Sequence, residues 1–180
     1  HVIANEEIVS AINSLSTGEA LKHDKEIIAF RGSMESFTAQ EFSEIKDFNG
    51  TVGGNISGTS DLAPLTEQAD MILEIAPNAK TVGLLYCSAE PNSAYQVKVV
   101  KEYLEKKNIT VKDNYSFSAS SDVAVVAAAA AAECDAIYIP TDNTAASCAE
   151  TISGVVGDVP VVAGEEGICA GCSVVTLSID

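Results

Sequence analysis

Asp135-Ala136-Ile137-Tyr138-Ile139-Pro140-Thr141-Asp142-Asn143 is the stretch that decides the fold. Asp135 to Ile139 reads as a short strand. Thr141-Asp142-Asn143 is a cluster of helix-opening residues. Thr141 to Val155 then reads as a helix. Strand, polar turn and helix in that order form the repeating unit of a parallel sheet.

The same unit recurs on both sides. Upstream, Pro64 to Ile75 places Leu65, Ala69, Ile72 and Leu73 near helical spacing, and Pro77-Asn78 stops it. Thr81 to Cys87 is a continuous apolar run, expected to be a strand covered on both faces. Asn92 to Lys107 carries a helical stripe of Tyr95, Val99, Val100 and Leu104. Thr110 to Phe117 reads as a strand. Ser120, Ser121 and Asp122 are cap candidates for the alanine-rich helix that follows. Downstream, Val159 to Ala163 and Ser173 to Ile179 read as strands. Alternating strands and helices with short connections predict an α/β fold, a parallel sheet with helices on both faces.

The first 60 residues have weaker periodicity. Asn5 to Leu15 reads as helix and Glu26 to Phe30 as strand. Arg31 to Gly58 is polar and glycine-rich and reads as a connection between lobes. The expected organisation is a partial first lobe with its crossover over 1–60, and a second α/β lobe over 61–180.

Bulk properties narrow the function. The 180 residues are 47% hydrophobic and 20% charged, a globular balance. Ten basic against 26 acidic residues give a net charge of −16. Such a surface repels nucleic-acid phosphates and anionic lipid heads. The longest apolar run, Val123 to Ala132, is too short to span a bilayer. His1 begins no charged-then-apolar leader, which implies a removed leader or an internal piece. The end at Asp180, directly after Val174 to Ile179, reads as a truncation.

In an open parallel sheet, ligands bind beyond the carboxyl ends of the strands. Ser88 to Ser93, Pro140 to Thr144 and Gly164 to Gly167 all fall there. Helix starts offer N–H groups to an anion, and Glu90, Asp142 and Glu165 offer charge to an ammonium. Together they suit a zwitterion such as an amino acid, although simple helix capping explains the same residues.

Catalytic groupings are scarce. The two histidines, His1 and His23, lie outside the regular α/β part, and there is no G-x-S-x-G elbow. Gly53, Gly54 and Gly58 match neither phosphate-loop nor dinucleotide patterns. Five cysteines are an odd set, expected as free thiols. Cys169-Ala170-Gly171-Cys172 has redox spacing but comes late in the chain, and two cysteines are too few for a structural zinc site.

Several motifs in order carry a resemblance. Asn49 to Asp61 is a glycine-rich segment, followed by a P-x-x-x-Q helix at Pro64 to Ile75. Glu90-Pro91-Asn92-Ser93, the stretch Asp135 to Asn143, and Pro160 to Glu165 complete the series. This arrangement resembles the ABC-transporter substrate-binding family that includes the tryptophan- and tyrosine-type binding lipoproteins. The resemblance covers Asn49 to Asp180, and His1 to Phe48 match poorly. It implies a periplasmic-binding-protein fold of type I, with one lobe nearly complete and one partial. It also implies an aromatic or apolar amino acid held in an inter-lobe cleft, without cofactor, metal or catalysis.

The implied partners are ABC permease subunits, with the protein monomeric, extracytoplasmic and either lipid-anchored or periplasmic. Carried over position by position, the expected ligand residues are Thr59, Ser60, Glu90, Asn92, Ser93, Asp142, Asn143 and Glu165. Ser93 and nearby N–H groups are expected to meet a carboxylate and Asp142 an ammonium. Two other readings stay open: the effector-binding domain of a cytoplasmic transcription regulator, and a thiol oxidoreductase using Cys169 and Cys172.

Overall fold

The structure is a computed structural model that describes residues 20–23, 26–30 and 63–178. The expected helix over Asn5 to Leu15, the connection Arg31 to Gly58, and the candidates Thr59 and Ser60 lie outside the described residues. The chain divides into two compact units, His1–Leu62 and Ala63–Asp180.

In the first unit, β1 (Ala20–His23) pairs antiparallel with β2 (Glu26–Phe30), with a register shift between Leu21 and Lys22. β2 is the strand expected there. β1 runs into the charged stretch Lys22 to Glu26, which hid it in the sequence.

The second unit opens with α1 (Leu65–Ile75), β3 (Thr81–Cys87), α2 (Pro91–Lys106) and β4 (Thr110–Phe117). A single 3₁₀ turn, Ser120–Asp122, leads to α3 (Val123–Glu133) and β5 (Ala136–Ile139). Next come α4 (Asn143–Ser147), α5 (Ala149–Val156), β6 (Val161–Ala163), α6 (Glu166–Cys172) and β7 (Val175–Thr176). The sheet order is β4-β3-β5-β6-β7, with every pairing parallel.

Period-two alternation sorts each strand between two faces. Leu85, Cys87, Ile137, Ile139, Val161 and Ala163 share one cluster with Val123, Ala127, Ile152 and Ile168 of α3, α5 and α6. The alternate residues Leu84, Tyr138 and Val162 are also fully buried. Buried stripes at i, i+3, i+4, i+7 run along α1 (Leu65, Gln68, Ala69, Ile72) and α2 (Ser93, Gln96, Val97, Val100). Each fully buried Leu, Ile or Val side chain contributes about 1.5–3 kcal/mol by leaving water.

Several expectations shift. The helix expected over Thr141 to Val155 is two helices, broken at Cys148. Of the last strand expected over Ser173 to Ile179, Val175–Thr176 forms among the described residues, which end at 178, at the sheet edge where only one neighbour pairs it. Gly164 to Gly167 is not all loop, because α6 begins at Glu166. Ser120, Ser121 and Asp122 form the 3₁₀ turn and give α3 no side-chain cap.

Candidate functional site

The chain runs from β3 outward to β4, then returns across β3 to β5. That reversal is a topological switch point, where the crevice between diverging connections suits a ligand. The turns after β3 and β5 flank it, and the turn after β6 lies next along the same edge.

The three turns are joined by side chains. Asn92 Nδ2 donates to the Thr141 carbonyl at 2.9 Å, and Ser93 Oγ does so at 3.2 Å. Gln96 Oε1 accepts from the Thr141 N–H at 3.0 Å. The Gly164 N–H donates to Ile139 at 2.7 Å, and the Gly164 carbonyl accepts from Thr141 Oγ1 at 3.3 Å. The expectation that these turns share one rim describes this edge.

Glu90 reaches across to the start of α4. Its Oε2 accepts from the N–H and Nδ2 of Asn143 at 3.0 and 3.1 Å. Its Oε1 accepts from the N–H and Oγ1 of Thr144 at 2.9 and 2.7 Å. Burial pushes this carboxyl up, but the bonds from Thr144 and Asn143 outweigh it and hold it below its ordinary value.

Asp142 caps the same helix from within, accepting from the Ala145 N–H at 2.8 Å. Its other oxygen accepts from Cys87 N–H at 2.7 Å, tying the end of β3 to the end of β5. It is only 1% exposed. Burial raises its pKa against the pull of the Ala145, Cys87 and Ser93 bonds, and the charge of Glu90 adds to the rise. Asp142 therefore serves first as a cap and a tie.

Glu165 caps α6, accepting from Ile168 at 2.7 Å and Gly167 at 3.2 Å. The start of α2 differs. Glu90 gives it no side-chain cap, and Pro91 occupies its first turn.

Sequence reasoning missed Gln68, Gln96 and Tyr138. Gln68 and Gln96 are polar residues at buried positions of apolar helical stripes. That mismatch was the signal that could have found them.

The cysteines give the thiol-enzyme reading no support. All five are free, with Cys87 and Cys134 buried. Cys169 and Cys172 are the middle and last residues of α6, not its start. Burial, with the Cys169 charge adding, pushes the Cys172 thiol up to about 11. A reactive thiol needs the opposite shift. Among the described residues no group of His, Cys, Asp or Glu could hold a metal ion, and no helix is long and apolar enough to cross a membrane.

Residues 3–180 match the family model described as ABC transporter substrate binding protein. The chain is 32% identical over 130 residues to a tyrosine-binding protein of Clostridioides difficile (strain R20291), covering 71% of this chain and 37% of that protein. Among solved structures it is similar to an ABC domain in complex with L-Trp from Streptococcus pneumonia. There the identity is 32% and the TM-score 0.67, over 76% of this chain and 47% of the other. It is also similar to a ligand-free, open substrate binding protein with adhesive properties from Clostridium difficile. That match has 30% identity and a TM-score of 0.62, over 75% and 46%. The chain thus spans little more than a third of the curated relative and just under half of the solved ones. The parallel sheet flanked by helices is the periplasmic-binding-protein-like architecture that the sequence motifs implied.

Proposed function

Because the chain belongs to the ABC transporter substrate binding protein family, we propose that it is part of an importer's solute receptor, holding an amino acid with an aromatic side chain. One observation carries the proposal: three polar turns meet on one edge at the sheet's switch point. The tyrosine- and L-Trp-binding relatives support the ligand class.

The ligand carboxylate goes to the start of α2. Pro91 has no N–H, and no side chain caps this end of a 16-residue helix. The half-buried Asn92 presents its N–H there, and the helix dipole favours an anion, while Ser93 is fully buried and braces the turn beneath. The ammonium goes to the acceptor with most room. A carboxylate offers about four lone-pair positions. Glu90 accepts four bonds, whereas Glu165 accepts two. Glu165 is thus a better partner than the buried Asp142.

A second lobe supplies the opposing wall, and closure over the solute presents the receptor to its permease. The setting that follows is extracytoplasmic, on a lipid-anchored or periplasmic protein that is monomeric until it docks.

The test is thermal unfolding of the chain against single L-amino acids, led by tryptophan and tyrosine. A ligand at 100 times its Kd stabilises by about 2.7 kcal/mol. A rise with aromatic amino acids, and none with glutamate or lysine, supports the proposal. A flat response to the whole panel refutes it for this chain.

A further inference from the structure

We infer that Gln68 is a positioning residue for the binding edge: its side-chain amide fixes the turn after β6 and ties it to the segment following β7. The inference deepens the amino-acid reading above, on which its ligand arm rests.

Gln68 occupies a position where leucine would pack more simply. It lies on the apolar stripe of α1, between Leu65 and Ile72, and is fully buried. A buried amide is costly unless each polar group finds a partner. Here each does. Oε1 accepts from the Tyr138 hydroxyl at 2.6 Å. Nε2 donates to the Gly164 carbonyl at 3.2 Å and to the Leu177 carbonyl at 2.7 Å. A reversed amide would set its oxygen against two carbonyl oxygens, so the surroundings admit one orientation. Tyr138 is also fully buried, and burial raises its hydroxyl pKa and keeps it protonated as the donor.

What Gln68 holds is the junction of two site turns. Gly164 sits against Pro140 and Thr141 so closely that an added Cβ would lie 2.7 Å from the Thr141 nitrogen. Its carbonyl takes bonds from both Gln68 and Thr141, and its neighbour Glu165 caps α6. A second link runs alongside, from Thr176 Oγ1 to the Ala163 carbonyl at 2.9 Å. Losing the Gln68 amide leaves the buried Tyr138 hydroxyl without its acceptor and the Leu177 carbonyl without this donor. The Gly164 turn is then freed from α1.

The experiment compares wild type with Gln68→Leu by amide hydrogen exchange and by L-tryptophan titration, well below the melting point of either. Exchange in Q68L should rise about tenfold or more over 164–168 and 175–178, and less in β3 and α2. Tryptophan affinity of the folded variant should fall about tenfold, the equivalent of one lost net hydrogen bond. An equal rise in exchange throughout the unit, or none, overturns the inference, as does unchanged affinity. If wild type itself does not bind L-tryptophan, the amino-acid reading fails, and exchange alone decides the positioning role. Should Q68L not fold, Tyr138→Phe removes only the hydroxyl that orients the amide. It should give about a threefold rise over the same segments, and no rise there overturns the inference.

Discussion

Gly164→Ala tests whether the binding edge is as tightly built as the distances indicate. The new Cβ would stand 2.7 Å from the Thr141 nitrogen, 2.8 Å from the Pro140 carbonyl carbon and 3.0 Å from the Pro140 Cα. All three are backbone atoms, so no flexible side chain can swing aside. Nor is the Pro140–Thr141 turn free to retreat. The Thr141 N–H donates to Gln96, and its carbonyl accepts from Asn92 and Ser93. Overpacking of this kind costs about 1–3 kcal/mol, and breaking one of those bonds adds about 1 kcal/mol. The expected loss is about 2–4 kcal/mol, a fall of roughly 10 °C for a unit of this size. Gly154→Ala is the control. It lies in α5, and its added Cβ meets nothing within 4 Å. Alanine there should stabilise by about 0.5–1 kcal/mol through helix propensity. Urea and thermal unfolding followed by circular dichroism measure both. A G164A protein as stable as wild type, or the same sign at both glycines, refutes the close-packed edge.

Two further outcomes follow from the titrating groups. Glu90 is held below its ordinary pKa, so the native state favours its charged form, and its contribution is lost as pH falls through that lowered value. Glu90→Gln should therefore cost about 1 kcal/mol near pH 7, allowing for partial exposure, with a gap that narrows toward pH 3. A gap of equal size at both pH values in urea unfolding contradicts the clamp. Cys172, with its pKa near 11, should react with iodoacetamide at pH 8 about two orders of magnitude more slowly than an ordinary thiol. Labelling followed by mass spectrometry measures this, and fast labelling would revive the thiol chemistry.

The sheet was legible wherever one period dominated. β3 and β4 have the bounds their patterns predicted, because β3 is a nearly unbroken apolar run and β4 is an edge strand with Lys112, Asp113 and Asn114 among its apolar residues. Legibility failed where tertiary contact overrides local preference. α6 has two glycines, Gly167 and Gly171, in seven residues, poor evidence for a helix in isolation. An added Cβ on Gly171 would lie 2.4 Å from the Ala149 Cβ, so glycine there permits an approach to α5 that no window of sequence displays. Cys148 interrupts a helix pattern that reads as continuous. The site was legible as a location and less so as a set of roles. In the sequence, Glu90, Asp142 and Glu165 stand out by their charge. Asp142 and Glu165 cap the helices they themselves open, whereas the role of Glu90 depends on which helix start lies opposite, and that is fixed by sheet order.

The internal bonding of the edge bears on what kind of receptor it makes. Its acceptors are largely consumed: four bonds at Glu90, two backbone N–H groups at Asp142, two side chains at the Thr141 carbonyl and two at the Gly164 carbonyl. The start of α2, by contrast, carries no side-chain cap. On the reading proposed above, an edge short of free acceptors would grip the anionic end of a zwitterion more firmly than the cationic end. The N–H groups of that helix start belong to the backbone, so they keep their direction whether or not a solute is present. Little ordering cost then falls on binding. On the same reading, side-chain specificity would fall to the opposing wall, with the amino-acid head held fixed on this edge while the rest of the pocket selects the side chain.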